Sequence, residues 1–210
     1  MLSCVILDLD STLVNMFGTE KEWVYMKGET RPEVLQRVLN IRVNGNFMWG
    51  AKRPHCDGFL KTCFEIFDAV GVWSAGSTPY VEEIVAELFD PLGKRPDFIW
   101  SKPDCVDGLL EDGTLRVKQK PLWKLYHRYP EFDPQKTLII DDNFQVCEQD
   151  TLNHVHVPGF DGTYESLHTN DDTLLDLSNW MLERLPNSRD YKSLSLKGVL
   201  NFNNDTSLHG

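Results

Sequence analysis

The sequence predicts an α/β fold with a doubly wound, mostly parallel sheet, and three observations predict it. Short apolar runs rich in β-branched residues alternate with stretches of helical periodicity. Several of those runs break on Asp, Ser or Thr, as strands do where they leave a sheet. The 210 residues are 41% hydrophobic and 11% aromatic, enough to bury the core of one ordinary domain.

The elements follow in chain order. Residues 4–9 (CVILDL) are too short for a helix and read as a buried strand ending on Asp10-Ser11-Thr12. Residues 38–50 read as a hairpin, with Asn44-Gly45 supplying the two positive-φ positions of its turn. A helical stretch opens after Arg53-Pro54, with Phe59, Leu60, Cys63, Phe64 and Phe67 on one face. Residues 70–74 are a second buried strand. The next helix starts near Pro79, capped by Ser77 or Thr78, and turns Val81, Ile84, Val85, Leu88 and Phe89 inward. A brief strand at 98–100 is followed by a hairpin at 109–117 around Asp112-Gly113 and a short helix at 122–129. Strands at 137–140 and 154–157 and a helix at 171–185 complete the pattern. Residues 187–210 read as a polar tail, with no order called for over the whole of it and room in it for flexibility.

Composition excludes several classes of function. Lys and Arg number 21 against 32 Asp and Glu, a net charge of −11, which is the wrong sign for a phosphate-backbone binder, so no nucleic-acid partner is expected. No apolar run approaches the length of a membrane span, and the first residues lack the pattern of a signal peptide. Five Cys without a CxxC suggest neither a zinc cage nor a disulfide framework, but free thiols in a reducing, intracellular setting, nucleus or cytoplasm. His55, His127, His154, His156 and His168 show no metal-ligand spacing, and His154 and His156 alternate on a strand as structural residues would.

In a doubly wound sheet, ligands sit beyond the carboxyl ends of the strands. The first strand ends in Asp8 and Asp10, two carboxylates that could face one reacting atom, one attacking while the other moves protons. The second ends in Ser74-Ala75-Gly76-Ser77-Thr78 before a helix, a fair anion cradle. The third ends in Asp141-Asp142, whose mutual repulsion a hard divalent cation would relieve. Each also reads as an ordinary polar strand end or helix cap, and it is the combination that points to phosphate plus Mg²⁺. Lys118 and Lys120 are candidate cations for phosphoryl transfer. The sequence has no GxxxxGK[ST], so a P-loop enzyme is not indicated.

These residues resemble a known family. DLDSTLV at 8–14 is similar to the first motif of haloacid dehalogenase superfamily phosphatases. KRPHCDGFL at 52–60, GVWSAGSTPYVEEIV at 71–85, RVKQKPLWKL at 116–125 and TLIIDDN at 137–143 narrow the likeness to the small RNA polymerase II C-terminal-domain phosphatases and the NLI-interacting-factor-like group. The resemblance runs over residues 3–185 and implies a haloacid-dehalogenase-like phosphatase domain over residues 1–186. It implies that Asp8 is the nucleophile and that Asp10 is the general acid and base, with its carbonyl on the metal. Thr12 would support the loop and Asp10, and Ser74 would hold the phosphoryl group. Lys120, with Lys118 as competitor, would neutralise charge, and Asp141 would orient Lys120. Asp8, Asp10 and Asp142 would hold Mg²⁺. Tyr80 aligns with an aromatic that packs a proline-containing peptide, although it also reads as a plain first-turn residue, and Lys102 aligns loosely with a substrate-binding Arg.

Ser74 comes 62 positions after Thr12, and Lys120 comes 46 positions after Ser74. The predicted hairpins and helices use most of both intervals, leaving small β-hairpin insertions and no large cap domain. An open site favours a bulky phosphoprotein substrate bearing phosphoserine or phosphothreonine, the polymerase tail among them. Two alternatives stand beside this: a capless magnesium-dependent phosphatase for small molecules or glycated proteins, and a non-catalytic scaffold that binds phosphoproteins.

Overall fold

A computed structural model describes residues 1–21, 31–109, 115–162, 167, 170–196 and 199–200. Its centre is a five-stranded parallel sheet. The strands are β1 (Leu2–Leu7), β5 (Ala69–Trp73), β6 (Phe98–Trp100), β9 (Phe132–Asp141) and β10 (His154–His156), in the order β10-β9-β1-β5-β6. The chain starts in the middle, winds outward to β6, then returns to the other side of β1. The winding therefore reverses at the carboxyl end of β1, where a ligand crevice is expected.

Alternation along the strands divides the core in two. Val5 and Leu7 of β1, with Val70, Val72, Leu138 and Ile140, face one side. Cys4 and Ile6, with Trp73, Phe98 and Ile139, face the other. The first side is covered by α2 (Cys56–Ile66), α3 (Thr78–Phe89) and α5 (Thr173–Arg184), the second by α4 (Leu122–Arg128). Helices thus lie on both faces, as the alternating pattern predicts.

Two small antiparallel sheets are inserted. β2 (Val14–Gly18), β3 (Val38–Val43) and β4 (Asn46–Lys52) form one, in the order β2-β4-β3, with the single-turn helix α1 (Pro32–Leu35) before β3. Asn44 and Gly45 make its turn at φ 50° and 82°. β7 (Val106–Leu109) and β8 (Leu115–Gln119) form the other. The Asp112-Gly113 turn predicted between them lies outside the described residues, as does His168. Among the described residues neither insertion is large enough to form a cap domain.

Some boundaries move. β1 ends at Leu7, so Asp8, Leu9 and Asp10 belong to a loop. α2 begins at Cys56 rather than beside Arg53, because His55 sits in the left-handed region at φ 64°. Some described residues past 186 pack on the domain. Tyr191 is buried edge-on against Phe67, with centroids 6.0 Å apart, and Trp180 Nε1 donates to the Ser195 carbonyl at 3.2 Å. Residues 201–210 lie outside the described set. No helix is long and apolar enough to cross a membrane among the described residues. All five Cys are free, four of them buried. Burial pushes the thiol of Cys56 up to about 12, far from a reactive thiolate.

Arg53 is the least expected core residue, with only 2% of its surface exposed. Its guanidinium donates to Asp171 Oδ2 at 2.8 Å, Thr173 Oγ1 at 3.0 Å and the Thr12 carbonyl at 3.3 Å. One side chain thus ties the loop after β1 to the start of α5. Arg53→Met should cost about 2–3 kcal/mol in urea unfolding, because Asp171 and the Thr12 carbonyl lose their donor while still largely buried. An unchanged unfolding midpoint would show that the clamp contributes nothing.

Candidate active site

The loop after β1 is built to turn sharply. Ser11 adopts φ 61°, unusual for a residue with a side chain. The Leu13 and Val14 N–H groups both donate to the Leu9 carbonyl, at 2.9 and 3.0 Å. Two long-range bonds pin the loop: Phe160 N–H donates to the Ser11 carbonyl at 2.7 Å, and Asn15 Nδ2 donates to the Phe160 carbonyl at 2.9 Å. This geometry presents Asp8 at the end of β1 and Asp10 just beyond it.

Lys120 meets Asp8 from the other end of the sequence. Its Nζ donates to Asp8 Oδ1 at 2.5 Å and to Asp141 Oδ2 at 2.6 Å, and all three residues are buried. The position follows from where β8 stops. Gln119 is the last residue of the ladder, and Lys120 N–H leaves it to donate to the Val146 carbonyl at 2.8 Å. Lys118, the competing lysine, stays in the ladder opposite Asp107 and pairs with its carboxylate.

Asp141 and Asp142 leave β9 together but serve different partners. Asp141 Oδ1 accepts the Asn143 N–H at 2.8 Å, so both its oxygens are engaged. Asp142 is held by Thr12, whose Oγ1 donates to Asp142 Oδ1 at 3.2 Å and accepts the Asp142 N–H at 3.1 Å. The resemblance implies that Thr12 supports the loop and Asp10; its N–H donates within the loop to the Leu9 carbonyl at 3.3 Å, and its hydroxyl reaches across 130 residues to Asp142. Behind the pair, His154 Nε2 donates to the Asp141 carbonyl at 3.1 Å and His156 Nε2 to the Asp142 carbonyl at 2.8 Å. Both imidazoles must carry the proton on Nε2, because a carbonyl can only accept. They are structural residues, as their alternation suggests, and they steady the strand end that carries the acids.

On the far side of Asp8, Ser74 follows directly on β5, buried, with its hydroxyl accepting the Gly76 N–H at 3.0 Å. Ser77 occupies the cap position of α3 without a side-chain bond, while the Thr78 hydroxyl pairs with Ser101 Oγ at 2.7 Å. Lys102 lies beside this loop, its N–H on the Gly76 carbonyl at 2.8 Å and its side chain exposed. Tyr80 faces neither plain solvent nor plain core. It is half-buried, and its hydroxyl donates to Asp10 Oδ1. Sequence reasoning missed this bond, the Arg53 clamp and the Thr12–Asp142 pair. The only sequence signal for any of them is the helical position of Tyr80 one turn past Ser74-Gly76.

The charges do not balance within the protein. Four carboxylates, Asp8, Asp10, Asp141 and Asp142, surround one ammonium. Burial opposes the charge on Lys120, yet Asp141 and Asp8 outweigh it and hold its pKa above the usual lysine value. Burial raises Asp8 well above the usual carboxylate range, against the pull of Lys120. Burial also raises Asp10, with Tyr80 opposing. Asp142 is pushed up to about 6 by burial and by Asp141 beside it.

This surplus fits a hard divalent cation. One oxygen each from Asp8, Asp141 and Asp142 lies within 4.8 Å of the others. Because Asp141 is already committed to Lys120 and Asn143, Asp8 and Asp142 are the carboxylates with lone pairs to spare. An acidic, all-oxygen donor set of few carboxylates suits Mg²⁺.

A profile of NLI interacting factor-like phosphatases matches residues 3–192. Among solved structures, the fold is similar to a variant of the fission yeast RNA polymerase II CTD phosphatase Fcp1 bound to beryllium fluoride. That likeness has 22% identity and a TM-score of 0.59, over 88% of this chain and 50% of the other. It is also similar to a structure of Fcp1 described as an essential RNA polymerase II CTD phosphatase, with 20% identity and a TM-score of 0.65, over 86% and 61%. The chain therefore spans half to three fifths of those proteins, and at these identities the likeness is one of fold. A comparison with curated proteins finds no match.

Proposed function

The chain belongs to the NLI interacting factor-like phosphatase family, and we propose that it is a Mg²⁺-dependent phosphatase acting on phosphoserine and phosphothreonine in proteins through an aspartyl-phosphate. The observation that carries this reading is the single ammonium of Lys120 shared by Asp8 and Asp141 where the sheet reverses its winding. An acid that only stabilised the fold would not need to be buried beside two further carboxylates.

In this mechanism Asp8 Oδ2, which accepts no hydrogen bond from the described residues, attacks phosphorus. The bond to the serine oxygen breaks, and that oxygen takes a proton from Asp10. Water then attacks phosphorus while Asp10 takes the water's proton, and Asp8 is released as a carboxylate. Ser74 and Lys120 hold the oxygens whose charge changes. Magnesium, held by the carboxylates of Asp8 and Asp142 and the Asp10 carbonyl, would supply further charge neutralisation.

The absence of a cap among the described residues supports a protein substrate, since nothing there would close over a small metabolite. The polymerase tail is the first protein to test, because both similar structures are named for it. We expect kcat/KM on phosphoserine peptides, tail repeats included, to exceed that on sugar phosphates by roughly a hundredfold or more. A chelator should remove the activity and Mg²⁺ restore it. A preference for sugar phosphates would favour the small-molecule alternative, and phosphopeptide binding without turnover would favour the scaffold.

A further inference from the structure

Building on the phosphatase reading, we propose that Tyr80 is a positioning residue that aims the Asp10 carboxyl at the leaving oxygen, so that the enzyme is tuned to alkyl phosphate esters such as phosphoserine. Tyr80 stands in the first turn of α3, and its hydroxyl donates to Asp10 Oδ1. The other oxygen, Oδ2, accepts nothing from the described residues. Fixing one oxygen of a carboxyl fixes the plane of the group and leaves the second oxygen with a defined direction. Asp10 needs such help, because it lies past the end of β1, one residue before the left-handed Ser11.

The ring of Tyr80 is itself held. A Cβ at Gly76 would lie 2.7 Å from Tyr80 Cδ1 and 3.2 Å from Cε1, so the ring rests directly on the Gly76 backbone. The same Cβ would be 3.3 Å from Ser74 Oγ. The ring thus lies across the loop that ends β5, while its hydroxyl reaches the loop that ends β1. One side chain joins the two loops proposed to hold the phosphoryl group, and Gly76 is the residue whose missing side chain lets it do so.

The chemistry supplies a test that a structural role would not pass. A serine alkoxide is a poor leaving group and needs the proton of Asp10 as its bond to phosphorus breaks. p-Nitrophenolate is a stable anion at neutral pH and leaves without that proton. Because kcat/KM covers only the steps through ester cleavage, the two substrates separate acid positioning from all else. Tyr80→Phe keeps the ring and removes only the hydroxyl. It should lower kcat/KM about tenfold on a phosphoserine peptide. The loss on p-nitrophenyl phosphate should be about fivefold smaller or better. Gly76→Ala should reproduce this skew by displacing the ring, and should add nothing in a Tyr80→Ala background. Equal losses on both substrates, or a silent Tyr80→Phe, would overturn the proposal; the silent result would leave Tyr80 only a ring for packing substrate. Failure of the phosphatase reading looks different. The wild-type protein would then turn over neither substrate, or Asp8→Asn would keep its activity, and the proposal would fall with it.

Discussion

Asp8→Asn should abolish turnover, lowering kcat by about 10⁴-fold or more, while the protein remains folded and becomes no less stable. The amide keeps the shape of the carboxylate but cannot form the acyl phosphate, so both chemical steps are lost. The stability side follows from crowding. Burial, aided by Asp141 and Asp142, raises the pKa of Asp8 in the fold. A carboxyl raised on folding favours the folded state when protonated, and that advantage is lost as pH rises. At pH 7 without metal, a neutral residue at position 8 relieves the crowding and leaves Lys120 to Asp141. The thermal midpoint in the presence of a chelator should therefore stay level or rise as activity disappears, the trade expected of a residue placed for chemistry. Residual activity within a hundredfold of wild type would move the nucleophile elsewhere.

Lys120→Met should fail on both counts. Activity should fall by about 10³-fold, because nothing else among the described residues neutralises Asp8 as a phosphate dianion approaches. Stability at pH 7 should fall by about 3–5 kcal/mol, the usual cost of removing one member of a buried ionic group. Asp8 and Asp141 would be left facing each other with almost no access to water. The pH dependence separates this from simple loss of packing. Burial already raises the Asp8 carboxyl and Lys120 opposes that rise, so without Lys120 Asp8 binds its proton still more readily in the fold than in the unfolded chain, and the deficit should shrink as pH is lowered from 7 toward 5. In the wild type, the raised pKa of Lys120 keeps its contribution flat over that range, since it is lost only above the unfolded lysine pKa. Urea unfolding at the two pH values measures the difference. Adding Asp141→Asn to Lys120→Met should recover part of the stability and none of the activity. A deficit that does not vary with pH would mean that the lysine acts through its hydrocarbon stem.

What the sequence made legible was the frame of the site. Buried parallel strands are short apolar runs, and the polar residues that interrupt them mark where each leaves the sheet, so Asp8, Ser74 and Asp141 were all visible as strand ends. The strand β2 was not, because VNMFG neither alternates nor forms a continuous β-branched run, and the single turn of α1 is too short for periodicity to register. β9 begins at Phe132, five residues before the apolar run Thr137–Ile140, because Asp133, Pro134, Gln135 and Lys136 break the hydrophobic signal while the backbone stays extended. Lys118 and Lys120 could not be separated by period alone, since two residues apart on a strand they share a face. The stop at Gln119 decides between them. Thr12 on Asp142, Tyr80 on Asp10 and Arg53 on Asp171 span 130, 70 and 118 residues, and of these contacts only the second leaves a local trace, in the helical position of Tyr80.

The placement of β1 at the middle of the sheet has a consequence for synthesis. β1 leaves the ribosome before both of its neighbours, and one of them, β9, ends 134 residues after Leu7. At about 5–20 residues per second, Val5, Ile6 and Leu7 wait roughly 7 to 27 seconds for their second edge to be made. Until then a strand with almost no polar side chains presents an open hydrogen-bonding edge to every other nascent chain nearby. Chaperone capture of ribosome-bound fragments should therefore persist until β9 has emerged and fall sharply once it has.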